Sequence, residues 1–132
     1  MTNFKSFAVL LLVAGTAHAQ QTPPAPSVAS LMTKALADYP GKEALVITVT
    51  FPPGGTDPVH RHDAHAFVYV LEGSIVMGLR GDKPVTLTAG EVFYEGPDDV
   101  HTIGRNASLT KPAKFMVVLL KDSGKPVAMP AH

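Results

Sequence analysis

The stretch HRHDAHAFVYVLEG, residues 60–73, places three histidines in six positions and then runs as an apolar segment into Gly73. Within residues 66–72 the side chains alternate. Ala66, Val68 and Val70 share one face and Phe67, Tyr69 and Leu71 the other, as strand geometry requires. Both faces are apolar. A small barrel has a single interior, so the second face needs separate cover, from an N-terminal helix or from a symmetric partner; a homodimer is the expectation.

Working outward, short runs rich in β-branched and aromatic residues recur between turn signals. Strands are predicted at 43–51, 66–72, 74–80, 84–88, 91–95 and 113–121, separated by Pro52-Pro53-Gly54-Gly55, Gly73, Gly81-Asp82, Ala89-Gly90 and Gly96-Pro97. Strands this short, at this spacing, indicate an all-β sandwich or barrel. Before them, Val28, Leu31, Met32, Ala35 and Leu36 fall at helical spacing behind a candidate N-cap, Ser27, and Tyr39-Pro40-Gly41 stops the run. The spacing predicts a short N-terminal helix. Residues 20–27, with three prolines in four positions, read as an extended linker.

The first 19 residues have the form of a secretory signal peptide. Lys5 supplies the positive start, residues 7–17 the apolar centre, and Ala17-His18-Ala19 the small-residue cleavage site, with cleavage after Ala19. That apolar run is short for a bilayer anchor. The expectation is therefore a secreted or periplasmic protein, free of the membrane after cleavage, with residues 28–132 forming one domain. The full chain carries 11 basic and 11 acidic residues, a balance without the basic footprint of a nucleic-acid binder. Cysteine is absent, which excludes disulfides, thiolate ligands and a cysteine nucleophile.

The histidines then carry the functional reading. His60 and His62 are two apart and on a strand point the same way, while His101 lies in a second turn-rich segment, YEGPDDVH. Each imidazole has two nitrogens that need partners, so two inward rings are hard to satisfy in an apolar interior without a metal. A pair with a distant third is a common three-ligand pattern. The alternative is a solvent-exposed polar loop, HRHDAH.

Two segments resemble the paired motifs of the cupin superfamily. In the first, G-x5-H-x-H-x(3,4)-E-x6-G, Gly54 or its neighbour Gly55, His60, His62 and Gly73 match, but the glutamate position is Ala66. In the second, G-x5-P-x-G-x2-H-x3-N, Gly90 and His101 match, Gly96 and Asp98 replace the proline and glycine, and Asn106 comes one residue late. The resemblance spans about residues 44–121. It implies a double-stranded β-helix, or jelly-roll barrel, often dimeric, holding one divalent metal through His60, His62 and His101. His65, beside the missing glutamate, is a candidate fourth ligand if the loop is one residue out of step.

Three neutral imidazoles would leave the metal its full charge and open positions for oxygen, water or a chelating small molecule. Iron would permit oxygen activation and zinc hydrolysis or hydration; manganese, nickel and copper also suit such donors. Candidate acid–base residues are Tyr94 and Glu95, of which alternation lets only one face inward. The leading expectation is a dioxygenase-type enzyme on a small molecule. The alternatives are a non-catalytic small-molecule or metal-binding barrel, and a zinc hydrolase, hydratase or isomerase.

Overall fold

A computed structural model describes residues 21–132; the expected signal peptide lies outside the described residues. Period-two burial builds the molecule. Leu45, Ile47, Val49 and Phe51 face inward from β2 (Lys42–Phe51), Ala66, Val68 and Val70 from β4 (His65–Glu72), and Ala113, Phe115, Val117 and Leu119 from β9 (Ala113–Asp122). They meet Ile75 and Met77 of β5 (Ser74–Leu79) and Leu87 of β6 (Val85–Thr88) across one core. Phe51 and Phe115 pack with ring centroids 5.5 Å apart at its centre.

The other strands are β1 (Ser27–Ala35), β3 (His60–Arg61), β7 (Val92–Glu95), β8 (His101–Asn106) and β10 (Met129–Pro130). Two five-stranded antiparallel sheets result, in the orders β1-β2-β9-β4-β7 and β10-β3-β8-β5-β6. The interleaving of sequence-distant strands is that of a jelly roll. Pro130 lies on an edge strand, where its missing N–H costs no ladder bond.

The expected N-terminal helix is a strand. Residues 27–35 pair along the whole of β2, and Val28, Leu31 and Met32 remain exposed. A helix is stabilised chiefly by burying its apolar stripe, and no core lies there to receive one. The edge of β2 offers a continuous set of backbone partners instead, so tertiary context overrides the helical spacing. The turn at 36–42 closes this hairpin through Leu36 N–H to Lys42 C=O and Lys42 N–H to Tyr39 C=O. Residues 21–26 are irregular, and Pro24 accepts a bond from the Thr56 N–H at 3.2 Å.

Two devices hold the loops between strands. Gly73 has φ 73°, and a Cβ there would stand 2.6 Å from the Pro112 carbonyl oxygen; only glycine fits between β4 and β5. Asn106 is buried and donates through Nδ2 to the carbonyls of Pro52 (3.0 Å) and Lys111 (2.7 Å), while its Oδ1 accepts from Ser108 N–H (2.8 Å). One side chain thus ties two loops, after β2 and between β8 and β9, that would otherwise leave backbone groups unpaired.

Candidate metal centre

His60 on β3 and His101 on β8 are direct ladder partners, so their rings meet although 41 residues separate them in sequence. His62 follows His60 with the strand spacing that keeps both rings on one side. The chain then reverses at Asp63, which adopts a left-handed φ of 47°, a conformation aspartate tolerates better than most residues. Arg61 points away and pairs with Asp63 at 3.1 Å.

The fourth member comes from β7. Glu95 is 3% exposed and stands directly opposite Ala66 in the β4–β7 ladder. Paired residues project to the same face with Cβ atoms about 5 Å apart. A carboxylate absent at 66 is therefore supplied to the same volume from the neighbouring strand. His60, His62 and Glu95 bring ligand atoms within 4.8 Å of one another, and His101 lies against His60 and Glu95 at the side of this group. The separations are 3.2 Å for His60 Nε2 to His62 Nε2 and 3.4 Å for His60 Nε2 to His101 Nδ1. Glu95 lies 3.6 Å from His62 Nε2 and 3.9 Å from His101 Nδ1.

The donor chemistry fits a cation. His60 Nδ1–H donates to Pro58 C=O at 2.8 Å and His62 Nδ1–H to Val127 C=O at 2.7 Å. A carbonyl can only accept, so in the neutral rings both Nε2 atoms carry bare lone pairs, aimed at each other. This is the arrangement by which backbone acceptors orient ligand imidazoles. His101 turns its Nδ1, not its buried and unpartnered Nε2, toward His60 and Glu95. Around a divalent ion with bonds of about 2.1 Å, adjacent donor atoms sit roughly 3.0–3.4 Å apart, close to the spacing here.

Electrostatics in the metal-free protein point the same way. Burial, then His60 and His62, holds the His101 imidazole down at about 4. Burial likewise lowers His62, against its bond to Val127. Both are kept neutral, as ligands must be. Burial pushes the Glu95 carboxyl up to about 7, with Asp99 and Asp57 adding repulsion. A cation at the centre would reverse that penalty.

The other sequence candidates lie elsewhere. His65 is exposed on the outer face, its Nδ1 hydrogen-bonded to the Tyr94 hydroxyl at 2.7 Å. Strand parity turns it away from the cluster, so it does not complete the ligand set. Tyr94, 47% exposed, sits on the same outer face against Phe67 and is not an inward acid–base group. Glu95 faces inward, but as a ligand-type carboxylate among the imidazoles. Where the missing motif glutamate implied a bare three-histidine set, a buried carboxylate stands against the imidazoles.

Asp57 was not singled out from sequence. It follows the turn Pro53-Gly54-Gly55-Thr56, and nothing in that composition marks it as more than a turn residue. Its N–H donates to Gly104 C=O at 2.8 Å, and it lines the inner cavity beside His60, His62, Glu95 and His101. Burial pushes its carboxyl up, against the pull of His60. Gly104 makes the approach feasible: a Cβ there would lie 2.8 Å from His101 Cε1 and 3.2 Å from Asp57 Oδ2.

Fold and site together define a small double-stranded β-helix protein with a cluster of histidines and one glutamate that could hold a metal ion. The cupin domain family profile matches residues 47–119, and the chain belongs to that family. Among solved structures, an uncharacterised Klebsiella pneumoniae protein with a double-stranded β-helix domain is similar at TM-score 0.66 and 17% identity, covering 86% of this chain and 90% of its own. An oxalate oxidase bound to glycolate is similar at TM-score 0.62 and 26% identity, covering 86% of this chain and 59% of its own. A DMSP lyase from Ruegeria pomeroyi is similar at TM-score 0.58 and 19% identity, covering 67% of this chain. The chain spans 43% of that lyase. No curated protein sequence matches.

Proposed function

We propose that this chain is an exported, metal-dependent enzyme of the dioxygenase type, acting as a homodimer on a small oxygen-bearing molecule. The observation that carries the reading is the convergence of three imidazoles and one carboxylate beside an open channel. A bound divalent ion would supply Lewis acidity and, if redox-active, a means of activating oxygen. The chain's own residues do the rest. Val127 and Pro58 keep the two Nε2 atoms free to bind, and Glu95 offsets one unit of the ion's charge. Asp57 accepts the proton of a substrate hydroxyl that reaches the centre. Val68, Met77 and Phe115 keep bulk water from the inner cavity. Two structurally similar proteins, the oxalate oxidase and the DMSP lyase, are enzymes, which supports catalysis over storage. For the dimer, the support is the outer face of β4 and β7, where Phe67, Tyr69, Val92 and Tyr94 are exposed in one uncharged patch of the kind that marks interfaces.

The test is elemental analysis of protein purified without added metal or a histidine tag, beside a His60→Ala/His62→Ala variant, followed by oxygen-uptake assays. About one equivalent of iron, lost in the variant, with substrate-dependent oxygen uptake, is the expected result. One equivalent of zinc would replace oxygenation by hydrolysis or hydration. Failure to bind any of iron, zinc, manganese, nickel or copper would overturn the reading and leave a barrel that binds a small molecule without catalysis.

A further inference from the structure

The space around the centre divides into two compartments of unequal size and character. The inner cavity, bounded by His60, His62, Glu95 and His101 and by Val68, Met77 and Phe115, holds about 40 Å³, room for an ion with one or two waters or a few ligand atoms. Outside it, a channel of about 540 Å³ opens past His60 and His62, within the range of small-molecule pockets. Its walls are Ile47 and Val49 of β2, Val59, and the C-terminal residues Val127, Met129 and Pro130. Among the described residues, no lysine, arginine, amide or hydroxyl side chain lines either compartment; the polar side chains are Asp57 and the ligands themselves. The nearby cation Arg61 is turned away onto Asp63.

From this, and resting on the metal-centre reading above, we infer that the ligand is a chelating head on an apolar, uncharged body, with the head at the metal and the body along the channel. The argument is one of size and charge. The inner cavity admits only a head, so any larger part must lie against the apolar channel walls. A divalent ion beside the Glu95 and Asp57 carboxylates leaves the site with no net positive charge when both are ionised, and no protein cation stands ready to hold a second anionic group. A compact dianion would therefore meet the metal alone, with its outer oxygens facing aliphatic walls and unpaired. A neutral or singly ionised head with an aliphatic or aromatic body meets no such penalty and removes apolar surface from water on both sides.

Cobalt(II)-loaded full-length protein, titrated with acetohydroxamate, butyrohydroxamate, octanohydroxamate and oxalate, tests this with the visible cobalt bands as readout. The head is constant through the hydroxamates, so only the body varies. Affinity is expected to rise roughly four-fold per buried methylene, with oxalate weaker than octanohydroxamate. In Val59→Asp, which sets a charge in the channel wall, the ratio of octanohydroxamate to acetohydroxamate affinity is expected to fall about ten-fold. Stoichiometric cobalt with an affinity independent of chain length, or with oxalate the tightest ligand, would overturn the channel assignment and leave the metal centre standing. Cobalt that fails to bind, or binds equally to His60→Ala/His62→Ala, would overturn the metal-centre reading itself.

Discussion

Replacing Glu95 with glutamine should make the metal-free protein more stable and the metal-binding protein worse. In the metal-free state the carboxyl is raised from 4.5 to about 7, chiefly by burial. A carboxyl raised on folding keeps its proton longer in the folded than in the unfolded chain. Stability is therefore lost as pH climbs from about 4.5 through 7, and above that window the ionised form costs about 3 kcal/mol. Glutamine has nearly the same shape, cannot ionise, and can donate its amide hydrogen to the bare His62 Nε2. Urea unfolding in a strong chelator at pH 8 should then give Glu95→Gln about 3 kcal/mol more stability than wild type. The gap should shrink to about 1 kcal/mol at pH 5, where the folded carboxyl keeps its proton. Metal competition titrations should show the opposite ranking, with affinity lowered roughly 100-fold or more, since even residues that only orient ligands cost 10–100-fold. Equal stability of the two proteins at pH 8 in chelator would refute the buried, metal-awaiting carboxylate.

The remaining predictions concern its neighbours. His101 is held down at about 4, so it stays neutral when the unfolded chain protonates. Metal-free Glu95→Gln, freed of the carboxyl's opposing trend, should gain stability as pH rises from about 4 to 6.5, read as a rising urea midpoint. Gly104→Ala should cost about 1–3 kcal/mol by driving a methyl into His101 and Asp57, and lower metal affinity about ten-fold; unchanged affinity in a competition assay would count against His101 as a ligand. Asn106→Ala unpairs three backbone groups in two loops and should cost about 3 kcal/mol, lowering Tm by roughly 10 °C or more in a thermal scan. His65→Ala should retain the full metal equivalent by elemental analysis, because its ring bonds Tyr94 on the outer face.

What could be read from the sequence follows from how each element is stabilised. β2, β4 and β9 bury one clean face, so their alternation announced them, and Gly73 announced the turn at which it alone fits. Residues 27–35 bury neither face; their apolar side chains carried a helical spacing with no core behind it, and pairing to β2 decided the outcome. β3, β8 and β10 are short or polar and are held by the ladder rather than by side-chain pattern. The histidine pair and His101 were legible because imidazoles are scarce and recur at motif spacing. Parity could say that only one of Tyr94 and Glu95 faces inward, but not that Glu95 stands opposite Ala66, since that depends on the register of two strands whose partners are 23 to 29 residues apart. Asp57 and the channel wall were silent for the same reason.

The bond from His62 to the Val127 carbonyl gives the C-terminal segment two duties at once. Residues 127–130 lie beyond the 47–119 span that matches the family, yet they orient the His62 ring through one backbone atom and wall the channel with their side chains. The backbone bond is indifferent to which side chains the segment carries. Ligand preference can therefore drift by substitution in a few tail positions while the imidazole geometry is conserved, making the tail an exchangeable cassette on an unchanging barrel. A fragment cut to the family boundaries would lose both the channel wall and the acceptor that sets the His62 tautomer.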